Sequence, residues 1–142
     1  MAFNLDRFKK AQSYDYATAL EEIRAGEKQS HWMWYIFPQL EELGYSEMAK
    51  YYGIKGIEEA RAYLADELLR SRLVEISQAL LSLKSNDASL VMGYPDDIKL
   101  KSSMTLFLFA SGENTPDGAL FQKVLDKFFA GKLDERTVKL CR

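Results

Sequence analysis

Leu68-Leu69-Arg70-Ser71-Arg72-Leu73-Val74-Glu75-Ile76-Ser77-Gln78-Ala79-Leu80-Leu81-Ser82-Leu83 reads as one amphipathic helix. Leu69, Leu73, Ile76, Leu80 and Leu83 recur at steps of three and four residues, which places them on one face. The segments around it follow the same period. Upstream, Ile57 to Leu64 carries Ala60, Tyr63 and Leu64 at helical spacing, and Ser46 caps a short helix through Tyr52 that Gly53 ends. Further up, Tyr16, Ala19, Leu20 and Ile23 share a face, Glu21, Glu22 and Arg24 take the solvated one, and Gly26 closes the helix. Downstream, Asp87 caps a short helix through Met92 before Gly93. Asp96 and Asp97 stand where acids favour a helix start, and Leu100, Met104, Phe107 and Leu108 follow. Thr115-Pro116-Asp117 is a strong start signal for a helix bearing Leu120, Phe121, Val124, Leu125, Phe128 and Phe129. Gly131 stops that helix, and Asp134 caps a last one ending near Leu140.

Strand signals are weak by comparison. Ile36-Phe37 and Met104 to Phe109 have strand-like composition, but their neighbours favour helix or loop, and no hairpin turn joins two β-rich runs. No linker, internal repeat or low-complexity segment interrupts the chain. The expectation is an all-α fold, a single irregular multihelical domain over residues 1–142 with about seven to nine helices and no significant sheet.

A chain of 142 residues with 47% hydrophobic and 28% charged residues has a globular profile and can bury roughly 70% of its unfolded surface. The net charge of −2 argues against a bulk electrostatic grip on nucleic acid, although Arg70, Arg72, Lys84, Lys99 and Lys101 leave room for a local basic patch. Met1 to Asp6 lacks the blocks of a signal peptide, and no apolar run approaches the ~20 residues of a membrane span. The one cysteine, Cys141, has no internal disulfide partner and reads as a tail thiol. A cytoplasmic location and no membrane partner are expected.

Two segments carry the chemistry. Lys28-Gln29-Ser30-His31-Trp32-Met33-Trp34-Tyr35-Ile36-Phe37-Pro38-Gln39 holds the only histidine and both tryptophans. So many large aromatics must be buried or line a concave site. His31 between the two indoles reads as a general acid or base, or as a cap on a tight aromatic turn. Trp32 and Trp34 point in different directions on a helix, so one can be core while the other stacks on a ligand's planar ring. A metal site has no second histidine and no cysteine cluster to build on.

The second segment is Gly93-Tyr94-Pro95-Asp96-Asp97-Ile98-Lys99-Leu100-Lys101-Ser102-Ser103-Met104-Thr105, a turn followed by a helix start. Free N–H groups there suit an anion, with Lys99, Lys101, Ser102 and Ser103 as added donors, whereas Asp96 and Asp97 would fill the helix start themselves. Facing a pocket, Asp97 could act as a base or hold ribose hydroxyls. There is no glycine-rich phosphate loop, since Gly53-Ile54-Lys55-Gly56 is too short, and no Gly-x-Ser-x-Gly elbow.

The run Ser30-His31-Trp32-Met33-Trp34 through Phe37-Pro38-Gln39 resembles the bacterial domain of unknown function 1810 family. Further matches are Phe8 with Ala11-Gln12, Tyr51-Tyr52-Gly53-Ile54, Ala60, Tyr63-Leu64, Arg72-Leu73, and Asp97, Lys99-Leu100 with Ser102-Ser103-Met104-Thr105-Leu106-Phe107. The resemblance covers nearly the whole chain and implies an all-helical fold like that of the family's mycobacterial representative. It implies no activity, substrate or cofactor. The calpastatin label sometimes given to members does not fit, because calpastatin is disordered, repetitive and proline-rich, whereas this chain has three prolines and many aromatics. Where the family pattern has a His-Pro before a Leu and a Gly after it, this chain reads Asp66-Glu67-Leu68-Leu69-Arg70, which puts more weight on His31.

Two functional readings follow. In one, a nucleotide or sugar-phosphate sits between the His31 segment and the Asp97–Ser103 helix start. Trp32 or Trp34 would stack on it, Lys28, Lys99, Ser102 and Ser103 would bind its phosphate, and His31 and Asp97 would handle protons in the hydrolysis of an N-glycosidic or phosphate ester bond. In the other, the chain is a non-catalytic helical module that docks a protein partner on an amphipathic surface.

Overall fold

The computed structural model describes residues 3–142. Met1 and Ala2, which belong to the stretch read for a targeting signal and to the expected 1–142 domain, lie outside the described residues. Nine α-helices and one 3-10 turn succeed one another among the described residues. They are α1 (Asp6–Ala25), α2 (Met33–Ile36), the 3-10 turn η1 (Glu41–Leu43), α3 (Glu47–Tyr52), α4 (Ile57–Ala65), α5 (Glu67–Leu81), α6 (Ala88–Met92), α7 (Asp96–Ser111), α8 (Pro116–Phe129) and α9 (Glu135–Cys141). The sheet-like pairing among the described residues is an isolated parallel bridge between Leu40 and Ile54. The fold is all-α, as expected.

The caps read at Ser46, Asp87, Thr115 and Asp134 are used by the backbone, Asp66 is a further cap that periodicity did not mark, and α7 starts after Pro95 with no side-chain cap. Side chains of Ser46, Asp66, Asp87, Thr115 and Asp134 accept hydrogen bonds from the first-turn N–H groups of α3, α5, α6, α8 and α9. Gly26 ends α1 in the left-handed conformation, at φ 84°. One end differs in detail: Ala130, not Gly131, takes the first left-handed position after α8.

Burial follows the periodicity. Leu69, Leu73, Ile76 and Leu80 on α5 are buried, as are Phe121, Val124, Leu125 and Phe128 on α8. α7 differs from the rest because it has no solvent face over its middle: Leu100 and residues 102–108 are all buried. It runs through the centre, with α4, α8 and α9 against it and α6 at its start. An aromatic chain crosses it. Phe8 meets Tyr63 edge-on at 5.2 Å, Tyr63 meets Phe107 at 5.1 Å, and Phe107 meets Phe121 at 6.1 Å. The turn from α7 to α8 closes so tightly that a Cβ on Gly118 would lie 1.9 Å from the Gly112 carbonyl oxygen. Only glycine fits there.

Two charged residues lie inside this core, which hydrophobic periodicity does not foresee. Arg7 on α1 and Glu59 on α4 are buried and 3.0 Å apart, Nη1 to Oε2. Arg7 also donates from Nε to Tyr51 O (2.8 Å), from Nη2 to Gly53 O (3.0 Å) and from Nη1 to Asn4 O. Glu59 Oε1 accepts from Lys55 N at 2.8 Å. The pair thus ties the start of α1 to the loop between α3 and α4.

Candidate functional site

The segment from Lys28 to Gln39 is held by one carboxylate. Glu22 Oε1 accepts from Gln29 N (2.8 Å), Ser30 N (2.9 Å) and the Trp32 indole N–H (2.9 Å), and Oε2 accepts from Ser30 Oγ (2.5 Å). Glu22 is therefore not part of a solvated face as its helical position suggests, although Glu21 and Arg24 beside it are exposed. Partial burial pushes its carboxyl up, but these hydrogen bonds, led by that from Ser30 Oγ, outweigh it and bring the pKa down to about 2. A depressed pKa contributes stability that is present above the ordinary value near 4.5 and is lost as pH falls through about 2. Glu22→Gln should therefore cost about 1–2 kcal/mol at neutral pH, because neutral acceptors bind more weakly. Urea unfolding from pH 7 to pH 2 should show the two proteins converging in acid. A constant gap across that range would mean that the charge on Glu22 plays no part.

With its indole N–H on Glu22, Trp32 is fully buried and offers no face to a ligand. Lys28 lies 4.8 Å from the Trp32 ring, with Nζ 2.7 Å from Asp96 Oδ2 and 2.5 Å from Ser30 O. Its charge is answered inside the protein and is not available to a phosphate. His31 is exposed, not enclosed by the indoles, because the chain turns Trp32 inward at the next position.

The helix start at α7 is also occupied by the chain's own acids. Asp96 holds Lys28, and Asp97 accepts from Ile98 N (2.9 Å) and from Ser89 Oγ (2.9 Å). Asp97 faces an open hollow with Asn86, Ser89 and Phe128, away from the tryptophans. The structure thus does not bring His31 and Asp97 together as an acid–base pair. Burial raises the Cys141 thiol pKa, which lowers its thiolate fraction. Among the described residues no group of three His, Cys, Asp or Glu side chains could hold a metal ion.

Ser103 is fully buried on α7, and its hydroxyl has no hydrogen-bond partner. It cannot reach a ligand at the helix start. An unanswered buried hydroxyl is a cost to the fold, so Ser103→Ala should leave stability unchanged or raise it by up to about 1 kcal/mol in thermal unfolding. A clear loss of stability would show that the hydroxyl has a partner.

Three of the residues singled out from sequence do converge. Trp34 is half-buried, and Lys99 Nζ lies 5.6 Å from its ring. On one side of Lys99 is a narrow cleft against Trp34, of about 10 Å³, with room for about one water. On the other side lies a groove of about 300 Å³, lined by Gln39, Pro95, Ile98, Lys99, Ser102 and Arg136, among others. Ser102 reaches it with its hydroxyl donating back to Ile98 O (3.3 Å). Lys99 is only loosely paired, 3.8 Å from Asp96. Arg136 donates to Glu42 O (3.1 Å) and has no carboxylate within 4.0 Å among the described residues.

Gln39 and Arg136 were not among the expected site residues. Gln39 closes the aromatic motif and could have been found there. Arg136 carries no local signal, because it reaches the groove across 94 residues of chain to Glu42. α9 is held in place by buried Thr105, whose hydroxyl accepts from Asp134 N (2.9 Å) and donates to Lys101 O (2.8 Å).

The model of the protein family described as "Protein of unknown function (DUF1810)" matches residues 2–141. The chain belongs to this family. The conserved hypothetical protein Rv1873 from Mycobacterium tuberculosis, known from its crystal structure, is 45% identical, with 98% of this chain and 96% of that one covered and a TM-score of 0.92. No curated protein matches the chain. Membership in the DUF1810 family thus agrees with the motif resemblance and with the helical fold. At the position where the family pattern would place a His-Pro, this member has Asp66, which caps α5 and pairs with Lys9 at 2.5 Å. Arg70, next to it, is bound to Asp117 through two hydrogen bonds of 2.6 and 2.8 Å. Both contacts are made within the fold. Among the described residues no helix is long and apolar enough to cross a membrane.

Proposed function

We propose that the protein binds a small phosphorylated molecule of the sugar-phosphate class in the groove between Gln39, the first turns of α7 and the start of α9. The observation that carries this reading is the meeting of Lys99 and Arg136, two under-paired cations, over a groove of about 300 Å³. That volume is at the lower end of small-molecule sites. A phosphate accepts from Lys99 and Arg136, and Gln39 supplies a polar contact to the remainder. The cleft of about 10 Å³ beside Trp34 favours this reading over the stacking of a nucleobase there. Trp34 instead backs Lys99 and limits its motion. The reading is one of binding, since His31 and Asp97 lie outside the groove.

A thermal-shift screen against sugar phosphates, nucleotides and ADP-ribose derivatives tests it. A ligand at 100 times its Kd adds about 2.7 kcal/mol, which is several degrees in Tm. The shift should vanish in Lys99→Ala and Arg136→Ala and persist in His31→Ala and Asp97→Ala. A hit abolished by Asp97→Ala but not by Lys99→Ala would move the site to the other face of α7.

The second reading, a protein-docking module, draws on the exposed apolar side chains Leu90 and Tyr94, together with Ile98 on the groove wall. It expects Leu90→Ser to abolish binding of a partner while leaving the phosphate response intact.

A further inference from the structure

The groove does not end at Arg136. Asp134 and Arg136 also line a wider basin of about 940 Å³, where Lys101, Lys132 and Lys139 join them with Glu135. Cations outnumber carboxylates there four to two. Asp134 is largely spent, its Oδ2 accepting from Thr137 N (3.0 Å) and Thr137 Oγ1 (2.5 Å). Among the described residues none of the four cations has a carboxylate within 4.0 Å. By contrast, the buried side chains of Arg7 and Lys28 each meet a carboxylate, Glu59 at 3.0 Å and Asp96 at 2.7 Å. In a chain of net charge −2, four under-paired cations around one concavity are a segregated positive field.

One phosphate between Lys99 and Arg136 would leave Lys101, Lys132 and Lys139 unanswered. We propose that the ligand of the groove carries at least two phosphoryl groups: the first lies between Lys99 and Arg136, and the next extends over the basin toward Lys101, Lys132 and Lys139. This rests on the groove reading above and adds the ligand's charge and direction. Arg136 is the hinge of the arrangement, because it lines both spaces and a guanidinium can bridge adjacent phosphoryl oxygens. Lys132 and Lys139 lie beyond the groove, so they contribute only to ligands long enough to leave it.

Isothermal titration of the full chain with orthophosphate, pyrophosphate and tripolyphosphate at fixed ionic strength tests the proposal. Pyrophosphate should bind about tenfold or more tightly than orthophosphate, as expected for an added charge pair near a protein surface. Lys132→Ala/Lys139→Ala should remove most of that gain and leave orthophosphate unchanged. Lys99→Ala should weaken all three. Equal affinities for the series, all lost in Lys99→Ala, would overturn the extended ligand while leaving the groove reading intact. No binding by any member would remove both. A single-stranded oligonucleotide that bound more tightly than tripolyphosphate, through the same lysines, would overturn the small ligand in favour of a polymer.

Discussion

Trp32→Ala is expected to destabilise the protein by about 3–5 kcal/mol, the range for truncating a large buried aromatic. Trp32 is 0% exposed, and its loss does three things at once. It opens a cavity beside Phe37, whose ring centroid is 6.3 Å away. It removes one of the donors that hold Glu22 down. It also takes away the surface over which the Lys28 ammonium sits, 4.8 Å from the ring centroid, in a nearly closed environment. Against a total stability of about 5–15 kcal/mol, this is a substantial fraction. Urea unfolding monitored by far-UV circular dichroism would measure it. Trp34→Ala is the control, since that side chain is half-buried and its indole has no hydrogen-bond partner among the described residues. A Trp32→Ala cost no larger than that of Trp34→Ala would show that Trp32 is not the core anchor of the segment.

Glu59→Ala is expected to cost about 3–5 kcal/mol as well, for a different reason. Glu59 is 1% exposed, and the Arg7 guanidinium it leaves behind cannot leave the core without breaking its bonds to Tyr51 O and Gly53 O. The penalty is that of a stranded charge rather than of lost volume. The backbone N–H of Lys55 also loses its acceptor. The double variant Arg7→Met/Glu59→Leu removes both charges and keeps the apolar bulk. It should recover a large part of the loss, because burying an ion pair costs much of what its attraction returns. Equilibrium unfolding of the two single variants and the double variant completes the cycle. Additive losses would mean that the two side chains act independently. The three backbone carbonyls on Arg7 would then be its real partners.

The helices were legible because their information is local. Ser46, Asp87, Thr115 and Asp134 bond to N–H groups within three residues of themselves, and the faces of α5 and α8 repeat at the helical period. The motif around Trp32 was legible as an important stretch, but its role was not. Nothing local says that Glu22, eight residues before Ser30, folds back to collect that segment's N–H groups. Lys28 and Ser103 resembled ligand-binding residues for a similar reason. A lysine near an aromatic and a serine near a helix start have the right composition. Only packing shows that the first is paired with Asp96 and the second is sealed in α7.

The sequence by itself determined that this chain is helical, where most of the helices begin and end, and which faces they bury. Capping bonds and hydrophobic spacing act over one or two turns, so they are written in neighbouring residues. The tertiary structure alone decided which polar groups meet. It placed Glu22 under Trp32, Arg7 against Glu59, and Arg136 beside Lys99, contacts that join residues ten to fifty-two positions apart. Long-range contacts depend on how all the helices pack at once, and no single stretch of chain carries that arrangement.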